Sequence, residues 1–395
     1  MIKITQPWIE HKNGKSRCYC DIFIEKNKKT IWFEVEEEYG DYLCTERADA
    51  YVIGMLNWAM RENKNIKSEI PVTEELLYSI NTILIPSLAK YSKNLNHILV
   101  EAPVAPPLTE GKAVGTGCSC GIDSFDAIYN HMNSYYKGMD LTHLCINNVG
   151  AFNECYSEYG EEKVKEERYI IADNVSNELG LKLIKTDSNF GEEIKQNHYL
   201  TNTYSGVFAI YMLQKFWKVY YLASAGLDYS EFTIINNDSE DSAHYDLLSL
   251  QCFSHAGLKI FSEGGEKTRL EKTKNIADFK IAKKYLHVCT SKSTNCGLCS
   301  KCRRTLVTLD LLNKLEDFYQ VFDIEYYKKN KKLYYKWLCS QYINNDIMNK
   351  PVYQEMMKRK EFRKIVFTHS IKSKLKFCLK KSVKNVYSKV DSIRG

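Results

Sequence analysis

The sequence predicts an α/β protein whose central sheet is parallel, with a smaller α+β domain before it and a helical segment after it. Two observations support this prediction. Strand-like and helix-like segments alternate from residue 111 to about residue 288, as they do in βαβ units on a parallel sheet. A cluster of four cysteines then separates this region from a polar, helix-forming C-terminal part. With 395 residues, the chain is long enough for two or three domains.

Residues 1–110 are predicted to form the α+β domain. Their apolar patterns and turn residues indicate a hairpin, two helices and a short strand, at Ser16–Ile24 with Thr30–Val35, Ala48–Glu62, Glu74–Ile85 and Asn96–Glu101. Pro86 is expected to end or kink the second helix. The proline-rich segment 103–111 then gives the best domain boundary.

Residues 111–315 are predicted to form the main domain. Its strands and helices are expected at Ala113–Thr116, Ser124–Tyr135, Leu141–Asn147, Glu161–Leu179, Leu181–Thr186, Thr203–Lys215 and Val219–Ala225. In parallel sheets of this kind, ligands bind at the carboxyl ends of the strands. Thr116, Asn147 and Ser224 lie at or near such ends and are candidate ligand-binding residues.

The turn after the first of these strands is the strongest candidate for a binding site. It is made of small residues, Cys118 to Gly121, and it opens an apolar-periodic helix. Free backbone N–H groups and the positive end of the helix dipole make such a turn suitable for a phosphate group. An ordinary strand–turn–helix connection is the alternative. The chain has no Gly-x-x-x-x-Gly-Lys-Ser/Thr motif.

The segment Ser119-Cys-Gly-Ile-Asp-Ser124 resembles the Ser-Gly-Gly-x-Asp-Ser loop of the PP-loop ATP pyrophosphatases, the adenine nucleotide alpha-hydrolase superfamily. The resemblance implies a Rossmann-like, HUP-type domain in which the loop holds the β- and γ-phosphates of ATP. By the same resemblance, Ser119, Gly121, Ile122, Asp123 and Ser124 would contact ATP. Asp123 would organise the loop or Mg²⁺, and Asp123 and Ser124 are the catalytic candidates of the loop. Cys120 stands where the family usually has the first of two glycines.

The cysteines Cys289, Cys296, Cys299 and Cys302 form the strongest metal signal in the chain. Four thiolates within 14 positions, in a loop that contains glycine, suit tetrahedral Zn²⁺ in a closed structural site. Four basic residues would offset its negative charge, namely Lys292, Lys301, Arg303 and Arg304. An iron–sulfur cluster and unligated thiols are the alternatives.

Together, the loop and the downstream cysteines make residues 111–310 similar to the 7-cyano-7-deazaguanine synthase-like proteins. That similarity implies ATP-dependent adenylation of a carboxylate or amide-like oxygen, release of pyrophosphate, and displacement of AMP by ammonia or another nitrogen donor. It implies ATP, Mg²⁺ and Zn²⁺ as cofactors. Residues 1–110 and 316–395 lie outside the similarity, so a different acceptor substrate is expected.

Two further groups of residues are candidates for the acceptor or the leaving phosphate. Lys267, Arg269 and Lys272 could converge on an anion near a helix N-terminus, or they could be solvated and paired with Glu266 and Glu271. His244 and Asp246 lie in a polar loop, where either could accept a proton from a nucleophile, Asp246 could position Mg²⁺, or both could be solvated. Asp246 and Arg269 complete the catalytic candidates.

Two other functions remain open from the sequence. A PP-loop sulfurtransferase could use Cys118 or Cys120 to thiolate tRNA or another acceptor. A catalytically degenerate PP-loop module could act in an assembly, with Cys120 as the only support for that reading.

The chain ends in a basic amphipathic segment, Ser370–Gly395, which could lie on an anionic membrane surface, pack on its own domain, or contact RNA. The net charge of +6 is only mildly basic and does not by itself indicate a nucleic-acid partner. No apolar run reaches the roughly 18–20 residues that a membrane-spanning helix needs. No signal-peptide pattern is present. A cytoplasmic protein, with peripheral attachment to the inner face of the membrane as one option, is therefore expected. A homodimer is one option for its assembly.

Overall fold

The computed structural model describes residues 1–132, 134–152, 161–195, 197–224, 227–232, 241–290 and 292–368. The chain divides into two compact units, Met1–Cys296 and Gly297–Gly395. The predicted basic tail, 370–395, lies outside the described residues. Within those residues, no helix is both long enough and apolar enough to cross a membrane.

All strands of the described residues belong to the first unit. They are β1 Ile2–Ile4, β2 Trp8–Lys12, β3 Lys15–Ile24, β4 Asn27–Glu36, β5 Ile66–Ser68, β6 Val72–Thr73, β7 Val100–Glu101, β8 Val104–Ala105, β9 Ala113–Gly117, β10 His143–Asn148, β11 Lys182–Ser188, β12 Trp217–Ala223 and β13 Lys259–Glu263.

The α-helices of the first unit are α1 Asp49–Arg61, α2 Glu74–Ser79, α3 Ile85–Tyr91, α4 Ile122–His131, α5 Glu161–Leu179, α6 Phe190–Ile194, α7 His198–Met212, α8 Asp246–Cys252, α9 Arg269–Ile276 and α10 Lys280–Tyr285. Those of the second unit are α11 Ser300–Leu311, α12 Ile324–Ile343 and α13 Lys350–Met356, followed by a helical stretch over 360–368. Short 3₁₀ turns occupy Glu37–Tyr42, Lys137–Met139, Tyr229–Glu231, Ser242–Tyr245, Leu315–Phe318 and Ile347–Asn349, and Ile80–Leu84 is a π-turn.

The main sheet confirms an α/β protein with a mostly parallel centre. Its order is β13-β12-β9-β10-β11-β4-β3-β1-β5-β7, with β2 paired to β3. All neighbours from β13 to β11 are parallel. The chain moves outward from β9 through β10 to β11, then returns to the other side of β9 for β12 and β13. The strand order therefore reverses between β9 and β12, and the crevice at such a reversal is where open α/β sheets bind ligands.

The N-terminal strands continue the same sheet. The antiparallel pairing of β4 with β11 places Glu34 opposite Asp187 and Phe33 opposite Ser188. Strands from both sides of residue 110, where the sequence predicted a boundary, therefore belong to one sheet. The polar side chains that follow β11 consequently lie next to the hairpin formed by β3 and β4.

One extensive hydrophobic core includes the contact between α1 and α7. Phe208 on α7 stacks on Phe190 with ring centroids 4.6 Å apart, and Phe33 meets Phe208 edge-on at 5.9 Å. Gly54 on α1 allows this packing, because a Cβ there would lie 2.8 Å from the Phe190 ring. Since this core contains residues from both α1 and α7, the N-terminal helix is held against the parallel-sheet region.

Several predicted elements are confirmed and others differ in their limits. The hairpin, α1, α5 and the strands β9 to β12 lie where they were expected, within a few residues. Pro86 was expected to end or kink the helix from Glu74. The helical stretch runs on to Tyr91, and a π-helical turn, Ile80–Leu84, places the proline in the first turn of α3, where its missing N–H is not needed. The helix whose N-terminus was expected near Lys267, Arg269 and Lys272 is α9, which begins at Arg269 because Thr268 and Glu271 form a capping box.

The second unit is helical in its described part, as predicted. Its centre is the carboxylate of Asp310, which accepts hydrogen bonds from the hydroxyls of Tyr327 and Tyr335, both at 2.8 Å. Lys331 and Arg359 form ion pairs with the same carboxylate, at 3.2 and 3.3 Å. These four partners satisfy the carboxylate, so Asp310 holds the helices of this unit together.

Candidate functional site

The predicted phosphate loop lies at the crevice where the strand order reverses. Strand β9 ends at Gly117 and α4 begins at Ile122, so residues 118–121 form the connection. Both neighbours of β9 are parallel to it. The loop is therefore at the carboxyl edge of the sheet, and the first turn of α4 presents its backbone N–H groups there.

The loop is held in a defined conformation by short contacts. The hydroxyl of Ser124 donates to the carbonyl of Gly117 at 2.6 Å, which closes the turn on itself. The backbone N–H of His287 donates to the carbonyl of Cys120 at 2.9 Å. Since His287 lies two residues before the first of the four cysteines, this bond ties the phosphate loop to the cysteine segment.

Cys120 adopts the left-handed conformation that glycine favours. Its φ is +59°, which costs a residue with a side chain about 1 kcal/mol or more. Its sulfur is fully buried and lies 4.0 Å from that of Cys118, which is also fully buried. The mutual hydrogen bond between the thiols raises the pKa of Cys118 and lowers that of Cys120. The backbone at this position therefore has a glycine-like conformation although the residue is cysteine.

Asp123, in the first turn of α4, is the point where several predicted residues meet. Arg269 Nη1 lies 2.8 Å from one carboxylate oxygen, and Lys272 Nζ lies 3.3 Å from the other. The ammonium of Lys272 is completely buried and donates to the Ser224 hydroxyl at 2.6 Å and to its carbonyl at 3.0 Å. The structure thus brings together Asp123, Ser224, Arg269 and Lys272, residues that are far apart in the sequence.

Lys267, a predicted candidate, belongs to a neighbouring network whose other members, Asp126 and Asn275, were not predicted from the sequence. Its ammonium pairs with the buried carboxylate of Asp126 at 2.8 Å, and Asn275 donates to the other oxygen at 2.7 Å. Lys267 also contacts Glu266 at 3.1 Å, as the solvated alternative had suggested. Asp126 lies one helical turn after Asp123 on α4, and this spacing is the signal that could have identified it.

Arg168, on α5, is another residue that sequence reasoning missed. Its guanidinium is buried, and Nη2 donates a hydrogen bond to the carbonyl of Ser119 in the loop. Neighbouring residues gave no indication of this role, because acidic and basic residues alternate along this part of α5. Only the packing of α5 against β10 and β11 turns this arginine towards the loop.

Thr116 and Asn147 lie at strand ends as expected, with their oxygens engaged inside the sheet. The Thr116 hydroxyl donates to the carbonyl of Tyr221 at 2.8 Å. The side-chain oxygen of Asn147 accepts from the Thr186 hydroxyl at 2.8 Å and from the Cys145 thiol at 2.9 Å. The Thr116 contact joins β9 to β12, and the contact between Asn147 and Thr186 joins β10 to β11. The two side chains therefore shape the carboxyl edge of the sheet.

His244 and Asp246 lie in another cluster of the first unit, beside α7. Asp246 is buried and accepts a hydrogen bond from the Thr203 hydroxyl at 2.5 Å, while His244 Nδ1 lies 3.1 Å from the carbonyl of Glu231. Burial raises the pKa of Asp246 to about 8, against the effect of the Thr203 bond. This carboxyl is thus predominantly protonated at neutral pH, which suits a proton donor better than a Mg²⁺ ligand.

The four predicted metal ligands form one cluster. The sulfur atoms of Cys289, Cys296, Cys299 and Cys302 all lie within 4.8 Å of one another. Thiolates around a tetrahedral Zn²⁺ at about 2.3 Å would be separated by about 3.8 Å, so the cluster could hold zinc after a small contraction. The loop is also preshaped, because Asn295 accepts hydrogen bonds from the backbone N–H groups of Val288 and Cys289 at 2.9 and 3.2 Å.

No protein-family model, curated protein or solved structure matches the chain. The residues themselves are therefore the basis for any functional assignment.

Proposed function

We propose that the chain is an ATP-dependent, AMP- and pyrophosphate-forming ligase of the PP-loop type. Its phosphate loop, residues 117–124, would hold the β- and γ-phosphates. A carboxylate or amide-like oxygen of the acceptor would attack the α-phosphate, pyrophosphate would leave, and ammonia or another nitrogen donor would displace AMP. The observation that carries the proposal is the convergence of Arg269 and Lys272 on Asp123, at the N-terminus of α4 and at the reversal of strand order.

The charges around Asp123 would allow Arg269 and Lys272 to exchange this carboxylate for a phosphate group when a nucleotide binds. The single negative charge of the Asp123 carboxylate is shared between the Arg269 guanidinium and the buried Lys272 ammonium, which leaves one positive charge in excess in this group. An arriving pyrophosphate group would offer these cations several oxygens with more negative charge. Asp123 would then be released to bind the Mg²⁺ that accompanies the nucleotide, since carboxylate is a ligand that Mg²⁺ prefers.

The same cations would assist the reaction. Negative charge builds up on the leaving pyrophosphate as the bond to the α-phosphate breaks. Fixed cations and helix N–H groups in a partly buried site stabilise this charge without having to reorganise. The Ser224 hydroxyl and carbonyl, which both accept from Lys272, hold the ammonium in place before the nucleotide binds.

Zinc would have a structural role in this scheme. When bound, it would cross-link the loop 289–302 through four thiolates and leave no open coordination position. The hydrogen bond from His287 to Cys120 would transmit that order to the phosphate loop. Loss of zinc is therefore expected to weaken nucleotide binding indirectly.

Titration calorimetry with ATP and Mg²⁺ tests the binding step. The zinc-loaded wild-type chain should bind ATP, and Arg269→Gln should lower its affinity by about tenfold, the effect of one lost charge-assisted contact. Lys274→Met is the matched control, because Lys274 is exposed on the same helix α9. Exchange of labelled pyrophosphate into ATP in the presence of candidate acids tests the chemistry. A folded, zinc-loaded protein that does not bind ATP would contradict the proposal and favour a degenerate module.

The proximity of Cys118 and Cys120 supports a second candidate, sulfur transfer from a cysteine persulfide to tRNA or another acceptor. The two sulfurs are 4.0 Å apart in the loop itself. Both are fully buried, however, so an acceptor could reach them only after the loop moved. Thiolation that is lost in Cys118→Ala or Cys120→Ala, with ATP binding retained, would favour this second candidate over the ligase.

A further inference from the structure

We infer that Arg168 is a phosphate-binding residue, whose buried Nη1 group is held ready for an oxygen of a di- or triphosphate at the loop 117–124. The inference rests on the proposed function and extends it to a residue outside the loop motif. Helix α5, which carries Arg168, follows β10, whereas Arg269 and Lys272 belong to α9, which follows β13. Cations from two separate parts of the chain would therefore serve one anion.

The burial of Arg168 without a carboxylate is the first step of the argument. Only 3% of the residue is exposed. In the described part of the chain, no carboxylate lies within ion-pair distance of its guanidinium. Burying a cation without a counter-charge is costly, and a protein normally retains such a group only where something compensates it.

The hydrogen bonds of the guanidinium indicate that a compensating negative charge would bind beside the loop. Nη2 donates to the carbonyl of Ser119, which fixes the guanidinium beside the loop. Nη1 is buried and has no hydrogen-bond partner among the described residues. A guanidinium carries its donors in a flat fork, so a group that binds a loop carbonyl with one arm presents the other arm close by.

A purely structural role for Arg168 accounts for only part of this arrangement. One neutral donor would be enough to bind the Ser119 carbonyl. It would also avoid the burial of a charge. The thiol of Cys120 lies near Arg168, which contributes, after the bond with Cys118, to the lowering of the Cys120 pKa. A thiol sulfur is only a weak hydrogen-bond acceptor, however. A phosphate oxygen satisfies both the charge and the free donor of Nη1 at once.

The positions of the cations fit an extended anion. Arg168 contacts Ser119, near the start of the turn 118–121, and Arg269 contacts Asp123, in the first turn of α4. The helix α4 has ten residues and begins between these two contacts. A diphosphate seated on its first N–H groups would therefore have a guanidinium at each end of the loop.

Calorimetric titration of the full, zinc-loaded chain with inorganic pyrophosphate, and with ATP and Mg²⁺, tests the inference. Arg168→Gln removes the charge and leaves a shorter, neutral donor, and we expect it to lower the affinity for both ligands at least tenfold. Arg168→Lys keeps the charge but loses the fork, and should lower the affinity at least threefold. Lys163→Gln is the matched control, because Lys163 is exposed on the same helix. The affinity of this variant for both ligands should remain within twofold of wild type.

The possible outcomes separate this inference from the proposed function. If wild type binds pyrophosphate and a folded Arg168→Gln variant binds it equally well, the inference is overturned and the proposed function stands. If Arg168→Gln does not fold, as judged by its melting transition, Arg168→Lys decides, and wild-type affinity in that variant overturns the inference. If wild type binds neither pyrophosphate nor ATP, both the proposed function and the inference are overturned.

Discussion

Replacing Lys272 with methionine should destabilise the first unit strongly, and the structure gives the size of the effect. The Lys272 ammonium is completely buried and has three polar partners, the Asp123 carboxylate at 3.3 Å and the Ser224 carbonyl and hydroxyl at 3.0 and 2.6 Å. Methionine has nearly the same length, so few packing contacts are lost. The change therefore isolates the loss of charge and hydrogen bonds.

The expected loss in the free energy of unfolding is about 3 kcal/mol. Removing one partner of a buried ion pair typically costs about 3–5 kcal/mol, because the other charge is left uncompensated. Asp123 retains Arg269 at 2.8 Å and is partly exposed, which places the expected cost at the lower end of that range. At about 2 °C per kcal/mol for a unit of this size, the melting temperature should fall by about 6 °C.

Urea denaturation at neutral pH and scanning calorimetry measure this effect. Lys274→Met removes an exposed lysine two residues away on the same helix and should change the stability by less than about 0.5 kcal/mol. A Lys272→Met variant within about 1 kcal/mol of wild type would refute the reasoning. It would mean that the buried ammonium gains little net stability from Asp123 and Ser224.

Three further predictions concern zinc, Cys120 and Asp246. The purified chain should contain one zinc ion by elemental mass spectrometry. Cys299→Ala should lose the metal and have a lower melting temperature than wild type. A wild-type chain that contains no metal and melts at the same temperature with or without added zinc would indicate unligated thiols. Cys120→Gly, which suits the φ of +59°, should keep ATP affinity within about threefold, whereas Cys120→Val should destabilise the fold by about 1–3 kcal/mol. The Asp246 carboxyl, with its pKa raised to about 8, binds its proton more tightly in the folded state than in the unfolded state. Its contribution to stability should therefore decline as the pH rises from about 4 to 8, by at most about 1.4 kcal/mol per pH unit, and Asp246→Asn should remove this dependence in denaturation curves recorded across that range.

The sequence alone was enough to predict the class of fold and the two local sites. Alternating apolar patterns identified the strands β9 to β12, because a buried parallel strand and an amphipathic helix have different periods that are visible without a structure. The four cysteines were found because metal ligands in one loop are close in sequence as well as in space. The candidate phosphate loop could be located between β9 and α4 because its small residues are also consecutive in the sequence. Its binding of ATP stays a prediction.

The tertiary structure decided which distant residues share the site. The pairing of Arg269 and Lys272 with Asp123 depends on how α9 packs against α4, and no pattern within either helix specifies that contact. Arg168 looks like one more charge in a polar helix until the sheet places it under the loop. Local propensity and spacing are properties of short segments. The partner of a buried charge, by contrast, is set by the packing of whole elements, so it became visible only when the chain was folded.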